Sequence, residues 1–245
     1  MSSLTGLVDL HCHLMPFVDD GAYDEEESLE LLRMEVSQGV RTICLTPHLR
    51  AEMFETTDEE ILRHFELVCR HAEEAELPLT LYHSREYHFD RILRKRLVER
   101  SLRPLGEGST ILLEFCGRHS DAEILDAVKL VRRMGYTPLI AHAERTQPLQ
   151  KDWSFAHTLR ESGALLQINA GSILGREGLR QKLLCRKLLQ QGLPSVVASD
   201  AHDIRIRVPE LDRCAGYLED KYGKGLARRL LCSTPKAILE GNKGE

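Results

Sequence analysis

The sequence is short of several things, and each absence excludes a class of protein. No stretch of its 245 residues approaches the roughly 18 consecutive apolar residues of a membrane span. The start, Met1-Ser2-Ser3-Leu4-Thr5-Gly6, has neither basic residues nor an apolar run, so no signal peptide is expected. No Cys-x-x-Cys occurs, and the seven cysteines, at 12, 44, 69, 116, 185, 214 and 232, are odd in number. A chain this long buries a sizeable core without disulfides, so a reduced, cytoplasmic setting fits best. Positive charge is not in excess: Lys plus Arg number 33 against 38 Asp plus Glu, a formal charge of −5. Aromatics are only 5%, so there is no basic, aromatic-interleaved groove and no nucleic-acid partner is expected. Neither G-x-S-x-G nor a Walker A loop is present.

What remains is ordinary globular composition, 42% hydrophobic and 29% charged, arranged in a repeating order. Short apolar runs rich in Val, Ile and Leu recur at Leu7–His13, Thr42–His48, Leu79–Glu86, Thr110–Phe115, Thr137–His142, Leu165–Asn169 and Ser195–Asp200. Runs without strict alternation are those of strands buried on both faces. Helical spacing lies between them, in Leu29, Leu32 and Val36, in Ile61, Leu62, Phe65, Val68 and Ala72, and in Leu125, Val128 and Val131. Asp24-x-x-Glu27, Thr57-x-x-Glu60 and Ser120-x-x-Glu123 read as capping boxes. Gly39, Gly135, Gly163 and Gly192 each stand between a helical pattern and the next strand, where a left-handed helix end is needed. Seven βα units predict an α/β fold, a closed or nearly closed barrel, with an open doubly wound sheet as the alternative. No Pro/Gly/Ser-rich linker divides the chain, so one domain over 1–245 is expected, with a frayed tail at 241–245. The Arg- and Lys-rich stretch 87–108 (Arg91, Arg94, Lys95, Arg96, Arg100) reads as a solvated helix face, with a basic substrate-facing surface as the alternative.

The chemistry-bearing residues cluster at strand ends. His11, His13, His48, Glu86, Glu114, His142, Asp200 and His202 lie at or just after the C-terminal ends of predicted strands, and Asp20 follows in the first loop. The loops on that face build the active site of a (β/α) barrel. A single strand-end His is more often a satisfied structural group, but nine such residues on one face of one fold are not nine coincidences. In His11-x-His13 alternate residues point the same way, and Asp200-x-His202 repeats the spacing. Imidazole with carboxylate suits Zn, Mn or Fe. Nine ligands exceed one ion and suit three divalent ions, with Glu114 or another carboxylate bridging. Arg145 and Arg207, close behind His142 and His202, suit a phosphoester.

Two rival sites are weaker. Cys44-x5-Arg50 has the spacing of a thiolate phosphatase loop, but Leu45-Thr46-Pro47-His48-Leu49 contains a Pro and no Gly to cradle phosphate. An amidohydrolase barrel also begins with HxH, yet it typically uses a modified Lys on the fourth strand, where this chain has Glu114.

Taken together, Val8-Asp9-Leu10-His11-Cys12-His13, Val18-Asp19-Asp20-Gly21, Thr46-Pro47-His48 with Met53-Phe54-Glu55, Leu113-Glu114-Phe115, Ile140-Ala141-His142-Ala143-Glu144-Arg145 and Ala198-Ser199-Asp200-Ala201-His202 resemble the PHP (polymerase and histidinol phosphatase) superfamily. They look most like its bacterial tyrosine-protein phosphatases of capsule and exopolysaccharide operons. The resemblance implies a distorted (β/α)7 barrel and a trinuclear, usually manganese-supported site. It implies as ligands His11, His13, Asp20, His48, Glu86, Glu114, His142, Asp200 and His202, and as phosphate-binding residues Arg145 and Arg207. The catalytic candidates are thus Arg145, Arg207, His48 and Asp200. It implies as partner a phosphotyrosine-bearing bacterial autokinase that controls polysaccharide export, or another phosphoprotein. Departures are Cys12, where Ser is more usual, Val208, where a Pro is often found, and Arg85 before Glu86, where small residues are common. Arg85 is expected to pair with Glu86 or to reach the substrate. The reaction read from these residues is phosphomonoester hydrolysis by in-line attack of water, with no phosphoenzyme. Its rivals are a histidinol-phosphate or other small-molecule phosphatase, an exonuclease, and a silent kinase-binding barrel.

Overall fold

The structure is a computed structural model and describes residues 3–241; residues 242–245, most of the expected frayed tail, lie outside the described residues. The strands are β1 (Leu7–Cys12), β2 (Val40–Leu45), β3 (His48–Leu49), β4 (Thr80–His83), β5 (Glu86–His88), β6 (Thr110–Glu114), β7 (Thr137–Ile140), β8 (Leu165–Asn169) and β9 (Val196–Ala198). All ladders between them are parallel. β1-β2-β4 form one sheet and β3-β5-β6-β7-β8-β9 a second.

Two of the expected strands are each broken in two. Thr42–His48 is interrupted at Thr46-Pro47, because Pro47 has no N–H to give the ladder; its carbonyl still accepts the Glu86 N–H at 3.1 Å. The break at Ser84-Arg85 in the neighbouring strand matches it. Each pair of half-strands occupies one place in the ring, so the ring has seven places. Its ends meet where Cys12 bridges Ala201, with His13 N donating to Ala201 O and Asp200 N to His11 O, both at 2.8 Å. The open-sheet alternative is thereby excluded, and the fold is a distorted (β/α)7 barrel.

A bulge positions the first histidines. The register of β1 against β2 slips between Asp9 and Cys12, which reverses the side-chain alternation there. Below the slip, Val8 and Leu10 pack with Cys44, Leu112, Leu139, Ala141 and Val196, closed off by Ile238 and Leu239. A cluster drawing on β1, β2, β6, the β7 end and β9 is the barrel interior. Above the slip, His11 and His13 face the barrel mouth. A larger cluster, with Leu7, Ile43, Ile111 and Leu113 from alternate strand positions, joins the barrel to its helices.

The helices begin largely as expected. Thr57 and Ser120 form full capping boxes with Glu60 and Glu123. At Asp24 half of the box forms: its side chain accepts from Glu27 N, while the Glu27 carboxylate turns to Tyr23 N and Ile204 N. Gly39, Gly135, Gly163 and Gly192 all take positive φ, between 66° and 93°. The helix Glu25–Ser37 buries Ser28, Leu31, Leu32 and Glu35 rather than the Leu29–Leu32–Val36 stripe, because Ser28 Oγ donates to Leu14 O and Glu35 meets Asp9 beneath β1. The basic stretch forms the helix Arg91–Glu99, its charges spent on Glu55, Asp58, Glu99 and the face of Phe89. No helix among the described residues is long and apolar enough to cross a membrane.

Candidate metal centre

The barrel mouth brings all nine strand-end and loop residues together. Their ligand atoms fall into four overlapping groups, each within 4.8 Å: His13, Asp20, His48 and His202; His11, Glu86 and His142; His11, His13 and Asp200; and His48, Glu86 and Glu114. His48 and Glu86 are directly paired across β3 and β5. Leu112 and Glu114 share the inner face of β6. His142 and Asp200 end their strands in the left-handed region, at φ 30° and 54°, which is costly for residues with a Cβ. Two hydrogen bonds hold these turns: His142 N donates to Gln167 Oε1 at 2.7 Å, and Asp200 N to His11 O at 2.8 Å.

Outer partners set the imidazole tautomers. His13 Nδ1 donates to Asp19 Oδ2 at 2.7 Å, His11 Nδ1 to Gln167 Oε1 at 3.0 Å, and His202 Nδ1 to the Asp200 carbonyl at 2.9 Å. Each ring therefore turns its Nε2 inward. Yet His11 Nε2 and His13 Nε2 stand 3.2 Å apart. Glu86 Oε2 lies 3.3 Å from both, and Asp200 Oδ1 lies 3.4 and 3.6 Å from them. Both Glu86 oxygens, Asp200 Oδ1, His48 Nδ1 and His202 Nε2 are buried and make no hydrogen bond. His48 Nδ1 lies 2.9 Å from Glu86 Oε2 and His142 Nε2 2.9 Å from Glu86 Oε1, so imidazole nitrogens and carboxylate oxygens crowd toward shared points. With metal–ligand bonds of about 2.1 Å, ligand atoms around a tetrahedral ion lie about 3.4 Å apart and around an octahedral one about 3.0 Å. The donor set fits divalent cations.

The electrostatics agree. Burial disfavours charged His11, but Glu86 and Asp200 outweigh it and push it up to about 9. Burial opposes charge on His48 too, and Glu86 again outweighs it, to about 10. Burial tends to raise Glu86 and Asp200, yet the neighbouring imidazoles, and Arg145 at Asp200, hold both well below the usual carboxylate range. Burial and His13 push His202 down to about 2. Without cations, protons on His11 and His48 balance the buried carboxylates.

Both arginines reach the same atom. Arg145 Nη1 and Arg207 Nη2 lie 2.9 and 3.1 Å from Asp200 Oδ2, the oxygen turned away from His11 and His13. About a third of each side chain remains exposed at the mouth. Phe54 stacks on His48 at 5.3 Å and 11°, and Phe17 is exposed nearby, 6.0 Å from His64. Asp20, half exposed, faces His48 at 3.4 Å and His202 at 3.6 Å.

The expectation for Arg85 fails. Arg85 neither pairs with Glu86 nor reaches the mouth. Successive residues point to opposite faces, so Arg85 leaves the barrel and donates to His48 O and Thr56 O. Cys44 packs in the barrel interior, fully buried, and burial pushes its thiol far above the usual range. Cys12 is likewise buried, its thiol raised by burial.

Sequence reading missed the outer layer. Gln167 and Asn169 come from β8, the one of the seven places in the ring that supplies no candidate ligand. Gln167 Nε2 donates to Asn169 Oδ1 at 2.7 Å, and Asn169 Nδ2 to Asp200 Oδ2 at 2.8 Å and to Glu177 Oε1 at 3.1 Å. Glu177 Oε2 accepts from Arg145 Nε at 2.6 Å. His88 donates to Glu114 at 2.9 Å. The one available signal was the alternation of Gln167 and Asn169 on one face of a strand leading to the same rim.

A family model described as capsular polysaccharide synthesis, CpsB/CapC, matches residues 7–240. The tyrosine-protein phosphatase CpsB of Streptococcus pneumoniae is 31% identical over 238 residues, 95% of this chain and 98% of that protein. The tyrosine-protein phosphatase YwqE of Bacillus subtilis is 30% identical over 220 residues, 90% of this chain and 87% of that protein. A solved structure from work on those two proteins, described as unique metal-dependent tyrosine phosphatases, superposes with a TM-score of 0.90 at 29% identity, covering 97% of this chain and 96% of that one. A lactonase from Listeria monocytogenes shares the fold alone, with a TM-score of 0.64 at 11% identity.

Proposed function

The chain belongs to the CpsB/CapC family of capsular polysaccharide synthesis proteins, and from that premise we propose that it is a metal-dependent protein-tyrosine phosphatase. Its relatives carry that name over nearly the whole of both chains. The observation that carries the reading is the convergence at Asp200. One of its oxygens faces the Nε2 atoms of His11 and His13, and the other is flanked by Arg145 and Arg207.

In this reading one domain over residues 1–245 holds three divalent ions, most naturally Mn2+, with Fe and Zn compatible with the same donors. His11, His13, Asp20, His48, Glu86, Glu114, His142, Asp200 and His202 hold them. When bound, such ions neutralise phosphate charge and lower the pKa of water from 15.7 toward about 7. The chain's own part is orientation. Asp200 anchors one edge of each guanidinium, so the free N–H groups of Arg145 and Arg207 are preset for the non-bridging oxygens of a phosphoryl group. Asp19, Gln167 and Asn169 fix the rings and carboxylate they touch. Phe54, stacked on His48, and exposed Phe17 offer apolar faces to a phenyl ring. A phenolate leaves with an unperturbed pKa near 10, so little protonation help is needed, and buried Cys44 has no role.

The substrate is a phosphotyrosine-bearing protein, in the first place the bacterial tyrosine autokinase controlling polysaccharide export, and the setting is cytoplasmic. The test sets a phosphotyrosyl peptide against histidinol phosphate with Mn2+-loaded protein. Preferred turnover of the peptide supports the reading. Turnover of histidinol phosphate alone replaces the substrate by a small molecule.

A further inference from the structure

A second cationic site lies outside the barrel mouth. A cavity of about 300 Å3 opens between the ends of β4 and β5, the start of the helix Asp58–Glu74 and the loop 101–104. By liquid volume it has room for about ten waters. Arg85, His83 and Arg103 line it.

Arg85 is the anomaly. It is 1% exposed, yet among the described residues it has no carboxylate partner. Its Nη2 donates to two carbonyls, while Nε and Nη1 are buried without a hydrogen bond. A buried guanidinium in that state is costly unless an anion meets it. His83 is 6% exposed, packed on Phe65 at 4.3 Å, and neither of its ring nitrogens makes a hydrogen bond. Burial, with Arg103 and Arg85, pushes it down to about 4, so it is a neutral donor facing two cations. Arg103 spends Nε on His83 O at 3.2 Å and is otherwise open to the cavity rim. Asp58 is the carboxylate in the lining, and Arg96 already occupies it at 2.7 Å. Two positive charges and a free imidazole N–H are left over.

We propose that this cavity binds a small tetrahedral oxyanion, with inorganic phosphate as its ligand, held by Arg85 from within, Arg103 from the rim and a ring N–H of His83. Two uncompensated cations match a dianion, and guanidinium with imidazole matches its oxygens. The site stands apart from the metal centre and binds phosphate whether or not that centre hydrolyses phosphotyrosine. It is linked to the centre by one bond, Arg85 Nη2 to the backbone oxygen of His48, 3.1 Å.

The experiment is calorimetric titration of inorganic phosphate into the Mn2+-loaded protein, repeated on Arg85→Gln and Arg103→Gln. A parallel titration of Zn2+-loaded, diamagnetic protein follows the His83 ring signals by NMR. The expected result is saturable movement of the His83 signals, weakened at least about tenfold in each variant, as loss of a charge-assisted bond requires. Phosphate binding at the metal centre, a separate class of site, persists in both variants. Arg103 is exposed, so its variant answers even if Arg85→Gln misfolds. The proposal is overturned if the His83 signals do not move saturably with phosphate, or move equally in wild type and in Arg103→Gln.

Discussion

Asp19 Oδ2 accepts the Nδ1 proton of His13 at 2.7 Å and, at 2.9 Å, the backbone N–H of His48. One buried oxygen thus orients two of the groups that meet at the mouth. Burial would raise Asp19, but His13 outweighs it and keeps the carboxylate ionised. Removing that charge while keeping the shape should loosen the ring. Asp19→Asn is expected to weaken Mn2+ affinity by about 10–100-fold, the usual effect of losing an outer partner. Equilibrium dialysis measures it, and unchanged affinity would separate Asp19 from the centre.

Gly21 closes the same loop. A Cβ there would overlap the His13 carbonyl oxygen and lie 2.6 Å from the His13 Cβ, atoms of a fully buried residue. Gly21→Ala must therefore move the loop that carries Asp20, or His13 itself. The expected outcome is a fall in stability of about 2 kcal/mol or more, together with weaker metal binding. Denaturant titration with and without Mn2+ reads both effects; a variant of wild-type stability would show that the loop approaches His13 less closely.

Much of this was legible in the sequence, and the boundary between legible and hidden is physical. Strand-end His, Asp and Glu residues announce themselves by residue type, and the helix–Gly–strand joints give the order of the units. The bulge in β1 has no such mark, because a register slip is set by both strands at once. Arg85 was misjudged for a related reason. Adjacency to Glu86 in sequence means the opposite face in a strand. Gln167 and Asn169 are neutral, and their importance lies wholly in what they touch.

Protons and metal compete for the same atoms. His11, up to about 9, and His48, up to about 10, are charged in the metal-free protein at neutral pH. Their folded values exceed the unfolded one, so their contribution to metal-free stability is full below about pH 6.5 and is lost as pH rises through 9 to 10. Metal binding must expel those protons. Apparent Mn2+ affinity is therefore expected to climb between pH 6 and 8, by about one to two orders of magnitude per unit for one to two protons displaced. A pH-independent affinity would mean that the histidines are already neutral.

Arg145 and Arg207 both meet Asp200 Oδ2 at the mouth. Arg145→Ala is expected to lower kcat on a phosphotyrosyl peptide by about 100- to 1000-fold, as for other lost charge-stabilising donors, while metal content stays unchanged. Arg145→Lys should recover little, because an ammonium cannot bridge Asp200, Glu177 and a phosphoryl oxygen together. Wild-type kcat with only a raised KM would make Arg145 a uniform binding residue.

In the proposed mechanism, converging imidazoles and carboxylates carry the hydrolysis through the ions they hold. Its most direct test is phosphotyrosyl-peptide turnover by one preparation before chelation, after EDTA, and after reloading with Mn2+, with His202→Ala and Cys44→Ala alongside. Activity is expected to vanish with EDTA, return with Mn2+, be lost in His202→Ala and survive in Cys44→Ala. Turnover that persists in metal-free protein and disappears with Cys44 would contradict it.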